Sequence, residues 1–194
     1  MKLSILICSI EDRSEQRKSL LSIFKNQIIG ICDDKVELLL RIDNKEESVG
    51  AKRQTLLKNS KGEYIVFFDD DDLPSHNYVE LILKAIESKP DCVGINVAMT
   101  TNGERPQRCC HSLIYPEWKN NVDGWDYVRN ITHFNPVKRE LALQVGFKDL
   151  RFGEDKEYSD AVTKLCKTEV YIEEPLFHYR YSNKINHKEK YGIK

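Results

Sequence analysis

The chain has 194 residues, of which 40% are hydrophobic and 31% are charged. This composition supplies enough apolar side chains for one globular core and excludes a disordered chain. The 30 Lys and Arg residues nearly balance the 31 Asp and Glu residues, and the formal net charge of -1 excludes a surface built to coat nucleic acid or an anionic membrane. We therefore expect a single domain over residues 1–194, with no nucleic-acid partner.

The cysteines indicate reduced, mostly buried thiols. They are scattered through apolar stretches and show no CxxC spacing, which argues against a zinc site or a disulfide framework. The apolar run at residues 3–10 passes directly into charged residues, as a buried strand does. No stretch approaches the ~20 apolar residues that span a bilayer, so we expect a cytoplasmic protein with no transmembrane segment. The cysteines are Cys8, Cys32, Cys92, Cys109, Cys110 and Cys166.

Apolar runs and helix-like segments alternate along the first half of the chain. The runs, which predict strands, are residues 3–9, 36–42, 64–68 and 92–98. Apolar side chains recur at helical spacing in residues 14–29 and 48–59, and again in a segment that Ser75 is predicted to cap and that ends before Pro90. Continuous apolar strands separated by helices are typical of a parallel sheet covered on both faces. The pattern predicts an α/β fold.

The second half of the chain is less regular. Residues 100–108 are polar and indicate no helix or strand. Helices are predicted over residues 135–146, where an Asn-Pro pair favours a helix start, and over residues 154–167. A short apolar run at residues 170–172 predicts a last strand, and the tail beyond His178 is rich in lysine.

Four consecutive acids, Asp69 to Asp72, directly follow the predicted strand at residues 64–68. Ligands of open α/β sheets bind at the carboxyl ends of strands. Alternate residues of an extended segment point the same way, so Asp69 and Asp71 are predicted to converge while Asp70 and Asp72 turn elsewhere. A divalent cation would relieve the repulsion, and hard oxygen ligands favour Mg²⁺ or Mn²⁺. The alternative is that the acids complement the N-terminus of the next helix, with Asp72 as the cap.

Four sequence blocks together resemble the GT-A fold glycosyltransferases of the large, mostly inverting family 2. They are residues 3–13, residues 50–53 followed by 61–65, the DxD-type block at residues 69–74, and the tetrapeptide at residues 152–155. The resemblance covers most of the chain and implies a Rossmann-like domain with a central, mostly parallel sheet flanked by helices. It also implies that residues 1–98 bind a nucleotide-sugar and that residues 99–194 serve the acceptor and catalysis.

The resemblance implies a role for each donor-side residue. Asp69 would contact the nucleotide ribose, and Asp71 would bind a metal ion, Mn²⁺ or Mg²⁺, that bridges the two phosphates. Asp43 would hold the base of a uridine nucleotide, or is an ordinary turn acid after a strand. Lys52 and Arg53 would approach the nucleotide, or are solvated cations on a helix. The implied nucleotide-sugar-binding residues are Glu11, Arg13, Asp43, Lys52, Arg53, Asp69 and Asp70.

On the acceptor side, Glu154 and Asp155 match the catalytic acid pair of the family, in which the aspartate is the usual general base. A sugar hydroxyl is a poor nucleophile, so a carboxylate that takes its proton would assist attack on the anomeric carbon. The alternative is that both acids only complement a helix dipole. His178 resembles a histidine that some GT-A enzymes use as a further metal ligand, and the alternative is a structural histidine in an apolar strand.

Three aromatic residues, Tyr115, Trp118 and Trp125, are candidates for stacking on a sugar. The alternative is that they are core or loop anchors.

The predicted function is a metal-dependent glycosyltransferase that moves one sugar from a UDP-linked donor to a hydroxyl of a glycan or another acceptor, with inversion. The sequence lacks the Gln-x-x-Arg-Trp motif, which argues against a processive polysaccharide synthase. One alternative is a non-catalytic module that binds nucleotide-sugars or glycans. The other is a metal-dependent phosphoryl or nucleotidyl transferase, which is disfavoured because the chain has no Walker-type glycine loop.

Overall fold

The structure, a computed structural model, describes residues 1–30 and 34–183. Cys32 and the lysine-rich tail beyond residue 183 lie outside these residues. Within them, ten strands form one mixed sheet and α-helices flank it. The strands are β1 (Leu3–Ile10), β2 (Val36–Asp43), β3 (Tyr64–Asp69), β4 (Leu73–Pro74), β5 (Cys92–Thr101), β6 (Glu104–His111), β7 (Lys119–Val122), β8 (Trp125–Arg129), β9 (Val137–Lys138) and β10 (Glu169–Tyr181).

The described residues also form five α-helices. They are α1 (Ser14–Ile28), α2 (Val49–Asn59), α3 (Tyr78–Ala85), α4 (Arg139–Val145) and α5 (Glu154–Leu165), and short 3-10 turns cover Glu11–Arg13 and Ile86–Ser88. None of these helices is both long and apolar enough to cross a membrane.

The sheet order brings the carboxyl ends of three strands to one edge. The order is β2-β1-β3-β9-β5-β6-β8-β7, and β10 pairs with β4 and β5. The ladders between β1 and β2 and between β1 and β3 are parallel, with Ile10 opposite Asp43 and Cys8 opposite Asp69. The long pairing of β5 with β10 is also parallel. These ladders confirm the predicted α/β fold with a central, mostly parallel sheet.

Alternation along β3 divides the core between the two faces of the sheet. Phe68 packs with Phe24, Tyr78 and Phe177 on one face, with ring centroids 4.4 to 5.5 Å from its own. On the other face, Phe67 packs against Phe147 in a second apolar cluster. Successive strand residues point to opposite faces, so a continuous apolar strand is needed where helices cover both faces.

The described cysteines are free thiols, as predicted. Four of them are buried, and Cys8 is half-buried at the end of β1. Burial raises the pKa of Cys8 and of Cys109 to about 12. A thiol with so high a pKa is a poor nucleophile at neutral pH.

The structure corrects several predicted boundaries. Residues 100–108 belong to the hairpin that joins β5 and β6. The helix predicted from residue 135 begins only at Arg139, because β9 precedes it and pairs with β3 and β5. The predicted strand at residues 170–172 extends through Pro175 to Tyr181, and the ladder shifts register at that proline, which has no N–H to donate.

The predicted helix cap at Ser75 is also wrong. Helix α3 begins at Tyr78, and its N-cap residue is Asn77, whose side chain makes no capping hydrogen bond. Ser75 Oγ donates to Asn77 Oδ1 at 2.9 Å, and the Ser75 N–H donates to the Leu176 carbonyl. Ser75 therefore connects the segment before α3 to β10.

The Phe24 ring is a test of the core. We expect Phe24→Ala to lower the free energy of unfolding by about 3 to 5 kcal/mol, because the ring is fully buried between Phe68 and Tyr78. Urea unfolding followed by circular dichroism measures the change. Ile29→Ala, which truncates a side chain that is 64% exposed just after the same helix, is the matched control and should change stability by less than about 0.5 kcal/mol.

A second test concerns Asp91, which ties the start of β5 to neighbouring segments. Lys138 at 2.8 Å, together with the backbone N–H groups of Lys167 and Thr168, lowers the pKa of Asp91 to about 2. A carboxyl whose folded-state pKa is depressed stabilises the fold above its unfolded pKa and loses that contribution as the pH falls.

We therefore expect Asp91→Asn to lower the free energy of unfolding by about 1 kcal/mol at pH 7, after allowance for solvent screening. The difference in unfolding free energy between the variant and the wild type should shrink as the pH falls from 3.8 to about 2. Urea unfolding at each pH measures it. Asp12→Asn, at a mostly exposed carboxylate, is the control. A difference between Asp91→Asn and wild type that stayed constant across this range would contradict the assignment.

Candidate active site

A cavity of about 580 Å³ lies at the carboxyl ends of β1 and β3. Its lining brings together residues from distant parts of the sequence, including β1, α2, β3, β8 and the start of α5. Of the predicted site residues, Glu11, Asp43 and His178 do not line it. The predicted residues that do are Arg13, Lys52, Arg53, Asp69, Asp70, Asp71, Glu154 and Asp155.

The four acids form a turn, here called the acidic turn (residues 69–72), and not an extended segment. The Asp72 N–H donates to the Asp69 carbonyl at 3.2 Å. Carboxylate oxygens of Asp69, Asp71 and Asp72 lie within 4.8 Å of one another. The prediction that Asp72 turns away from Asp69 and Asp71 is therefore wrong, and so is the alternative that Asp72 caps the next helix. Its Oδ1 accepts the Arg180 backbone N–H at 2.8 Å, and α3 begins six residues later.

Asp70 is the acid that points away from this group. It is 2% exposed and accepts hydrogen bonds from Ser9 Oγ at 2.6 Å and from the Arg13 guanidinium. Burial raises the pKa of Asp70, and Arg13 opposes the increase. The same guanidinium lies 3.3 Å from Asp71. Arg13 therefore joins the end of β1 to the acidic turn and partly neutralises it.

The oxygen atoms of the acidic turn fit a hard divalent cation. Three carboxylates from one turn offer oxygen ligands at close range, and Mg²⁺ and Mn²⁺ prefer such ligands. Without a cation, three neighbouring negative charges repel one another. Asp69 and Asp71 retain partial exposure toward the cavity, so a bound ion could also contact a ligand there.

Arg53 connects the acidic turn to the start of α5. Its Nη1 donates to Glu154 Oε1 at 2.8 Å, and its Nη2 donates to Asp69 Oδ1 at 3.1 Å. The side chain is 5% exposed and is not a solvated cation on a helix. Burial opposes its charge, but the carboxylates of Asp69 and Glu154 outweigh it and raise the pKa of Arg53.

Lys52, the neighbour of Arg53, makes a separate buried ion pair. Its Nζ lies 2.5 Å from Asp43 Oδ1 and donates to the Ser9 carbonyl at 3.1 Å. Burial opposes ionisation of Asp43, but Lys52 and the Glu47 N–H together lower its pKa. The pair joins the ends of β1 and β2 to α2. A contact of Asp43 with a nucleotide base stays a prediction.

His133 is a site residue that sequence reasoning missed. The ring is 4% exposed, and its Nε2 lies 3.1 Å from Arg53 Nη2 and 3.9 Å from Asp69 Oδ2. Burial and the charge of Arg53 lower the pKa of His133, so the neutral ring accepts from the guanidinium. The backbone carbonyl of His133 accepts the Phe67 N–H, and this hydrogen bond holds the segment around His133 beside β3. A lone histidine without motif spacing gave no signal in the sequence.

The acid pair at the start of α5 divides into two environments. Glu154 is 5% exposed and faces Arg53; burial raises the pKa of Glu154 while Arg53 opposes the increase. Asp155 is half-buried, lines the cavity, and accepts the Lys156 N–H at 2.8 Å. Helix α5 begins after Gly153, whose φ of +83° is a left-handed conformation that glycine adopts without strain.

Close packing fixes the loop before α5. A Cβ on Gly50, in the first turn of α2, would lie 1.9 Å from the Lys148 carbonyl oxygen. The Gly50 N–H donates to the Leu150 carbonyl at 3.1 Å. Because only glycine allows this approach, the block at residues 50–53 positions the acid pair as well as Arg53.

Two predicted residues, His178 and Glu11, do not belong to the group of carboxylates formed by Asp69, Asp71 and Asp72. His178 is in β10, opposite Leu73 of β4, and its Nε2 lies 2.9 Å from Thr100 Oγ1. Burial and Arg180 lower the pKa of His178. Glu11 is largely exposed and lies 3.9 Å from Arg17. Their roles as metal ligand and nucleotide contact stay predictions that no contact within the described residues supports.

The three aromatic residues predicted to stack on a sugar differ in whether they line the cavity. Trp118 lines the cavity, whereas Tyr115 and Trp125 do not. The Trp118 ring has the Arg129 guanidinium at 5.0 Å and the Lys156 ammonium at 5.4 Å from its centroid. Cations therefore occupy the neighbourhood of this ring.

The fold and the cavity define a GT-A glycosyltransferase domain, and comparison with known proteins identifies its family. The family model described as Glycosyl transferase family 2 matches residues 10–146, so the chain belongs to glycosyl transferase family 2. Glycosyltransferase GlyA of Streptococcus pneumoniae serotype 4 is 24% identical over 166 residues, which are 77% of this chain and 24% of GlyA. The chain thus spans about a quarter of this curated relative.

Solved structures share the fold at low sequence identity. S. aureus TarS 1-349 in complex with UDP-GlcNAc has a TM-score of 0.69 and 14% identity, over 97% of this chain and 61% of that one. The mannosyltransferase PcManGT from Pyrobaculum calidifontis, in complex with GDP-Man and Mn2+, has a TM-score of 0.57 and 14% identity, over 91% of this chain and 56% of that one.

Arg53 offers a test of the site's electrostatics. We expect Arg53→Gln to lower the free energy of unfolding by about 3 to 5 kcal/mol, because Glu154 is left buried without its cation. Adding Glu154→Gln to Arg53→Gln should restore part of that loss, so the two substitutions are not additive. Urea unfolding of the two single variants and the double variant measures the coupling.

Arg41→Gln is the matched control for this cycle. Arg41 pairs with Glu47 on the surface, where its side chain is 45% exposed, and solvent screens such pairs. Its removal should change stability far less than Arg53→Gln does. Equal effects of the two arginine substitutions would show that Arg53 does not balance buried charge.

Proposed function

We propose that this chain forms the donor-binding and catalytic part of a metal-dependent glycosyltransferase, which transfers one sugar from a UDP-linked donor to a hydroxyl of a glycan or another acceptor with inversion. The observation that carries the proposal is the double contact of Arg53 with Asp69 and Glu154. It brings the carboxylates suited to a metal ion and the acid pair suited to proton transfer to one cavity.

The donor assignment rests on the cavity and on the relatives. A volume of about 580 Å³ lies in the range of small-molecule sites. TarS, which has the same fold, binds UDP and UDP-GlcNAc, and this supports a UDP-linked donor. PcManGT is the neighbour in complex with GDP-Man and Mn2+; it supports a divalent ion and makes guanine the competing base.

On the donor side, we assign metal binding to Asp71 of the acidic turn and a ribose contact to Asp69. When bound, a divalent ion supplies positive charge that stabilises the departing nucleoside diphosphate. Arg13, 3.3 Å from Asp71, adds a fixed cation near the same charge. We assign donor binding to residues 1–98 and the acceptor and catalysis to residues 99–194.

On the acceptor side, Asp155 is the proposed general base. Its carboxylate takes the proton of the acceptor hydroxyl while that oxygen attacks the anomeric carbon from the face opposite the diphosphate. The bond between the anomeric carbon and the diphosphate oxygen breaks in the same step, which inverts the anomeric centre. Glu154 faces Arg53 and holds that cation, so it positions the start of α5 and leaves proton transfer to its neighbour.

Measurements of turnover and of UDP binding distinguish the proposed role of Asp155 from that of Asp71. We expect Asp155→Asn to lower kcat for UDP release from UDP-sugars by about 10²- to 10⁴-fold with UDP affinity unchanged, because the base acts on the acceptor. Asp71→Asn should weaken UDP binding in the presence of Mn²⁺ and have little effect in its absence. Calorimetry with UDP and GDP, and a nucleotide-release assay with UDP-sugars and GDP-mannose, measure these effects.

Glu157→Gln is the matched control. Glu157 lies in the same first turn of α5, but its carboxylate pairs with Lys148 at 2.8 Å and does not line the cavity. Turnover should therefore survive this change. Unchanged turnover in Asp155→Asn would overturn the proposed base. UDP binding by the wild type with no release from any donor would favour the non-catalytic binding module.

A further inference from the structure

A guanidinium that has no acidic partner among the described residues lines the side of the cavity proposed for the acceptor. Arg129 is the last residue of β8 and lies opposite His111 of β6. Its guanidinium carbon is 5.0 Å from the Trp118 ring centroid and 5.1 Å from that of Tyr127. All three side chains line the cavity. The two rings hold the cation in a defined position.

No acidic side chain in the described part of the chain balances the charge of Arg129. Among residues 1–30 and 34–183, no carboxylate lies within ion-pair distance of it, whereas Arg13 and Arg53 in the same cavity both pair with aspartates. Its Nη1 donates to backbone carbonyls of Lys119 and Val128. Over the same described residues, its Nε and Nη2 make no hydrogen bond. Burial lowers the pKa of Arg129, so this charge costs stability.

Arg129 lies beside the start of α5. Trp118 Nε1 donates to Asn130 Oδ1 at 2.8 Å, and Ser159 Oγ of α5 donates to the same oxygen atom. The Lys156 ammonium lies 5.4 Å from the Trp118 ring centroid, and Lys156 directly follows Asp155. Arg129 and the proposed general base, Asp155, therefore line the same cavity, and Asn130 connects the end of β8 and Trp118 to α5.

Guanidinium groups bind carboxylates and phosphates through paired hydrogen bonds in one plane. We infer that Arg129 is the specificity residue of an acceptor subsite that takes an oxyanion, so that the acceptor is a saccharide carrying a carboxylate or a phosphate. This inference rests on the proposed function, because it assigns the second substrate of the same cavity. Trp118 and Tyr127 orient the guanidinium and do not themselves contact the anion.

The two indole N–H groups provide the test. In the ¹⁵N-labelled protein, the Trp118 signal reports on Arg129, and the Trp125 signal is an internal reference because Trp125 packs against Arg108 and does not line the cavity. The probes are glucuronate for a carboxylate, inorganic phosphate for a phosphate, and glucose as the neutral comparison. Each is titrated with and without saturating UDP and Mg²⁺.

We expect glucuronate or phosphate to shift the Trp118 signal saturably in the presence of UDP, whereas glucose does not and Trp125 stays unmoved. The ratio of the two anion affinities tells a carboxylate acceptor from a phosphate acceptor. Arg129→Gln should weaken the response by about tenfold. The matched control is Arg108→Gln, which removes a guanidinium stacked on Trp125 in the same sheet and should retain the response.

Three results would overturn the inference. They are an unmoved Trp118 signal in the wild type, an unchanged anion response in Arg129→Gln, and an anion response that UDP abolishes, which would place Arg129 at the donor diphosphate. Failure of the proposed function would give a different result from failure of this inference. In that case UDP and Mg²⁺ would leave the signals of the wild type unchanged, while the anion titrations without nucleotide would still report on Arg129.

Discussion

A buried arginine carries the electrostatics of this site. Arg53 lies between Asp69 at the end of β3 and Glu154 at the start of α5, and its side chain is 5% exposed. Burying a single charge is costly unless opposite charges and hydrogen bonds compensate it. The guanidinium therefore requires both acids, and both acids require the guanidinium. This mutual dependence holds the two halves of the cavity at a fixed separation.

The parallel arrangement of β1, β2 and β3 creates the place where this interaction occurs. Parallel strands end at the same edge of a sheet, and no cross-strand turn covers that edge. Acidic residues that follow such strands therefore lie close to one another and interact with nearby cationic side chains. Lys52 and Arg13 each pair with one of them, Asp43 and Asp70. The acidic turn keeps Asp69 and Asp71 partly exposed to the cavity, where a divalent cation would balance their negative charge.

Burial then separates acids that look alike in the sequence. Glu154 and Asp155 are neighbours that both line the cavity, yet Glu154 is 5% exposed and bound to a guanidinium, whereas Asp155 is half-buried. A group that balances a buried cation is poorly placed to exchange protons with a substrate, whereas a half-buried carboxylate facing the cavity can do so. The arginines of the cavity also differ in their environments. Arg53 pairs with two acids, Asp69 and Glu154, whereas Arg129 pairs with none within the described residues.

Local patterns determined much of this protein: continuous apolar runs predict strands covered on both faces, and the acids after β3 mark the ligand edge. Tertiary structure decided the rest. His133 joins Arg53 only because the chain returns beside β3, and no spacing in the sequence encodes that approach. Asp72 joins the metal-type cluster because the segment turns where an extended strand was assumed. Pairing partners lie far apart along the chain, so their contacts follow from packing and not from local propensity.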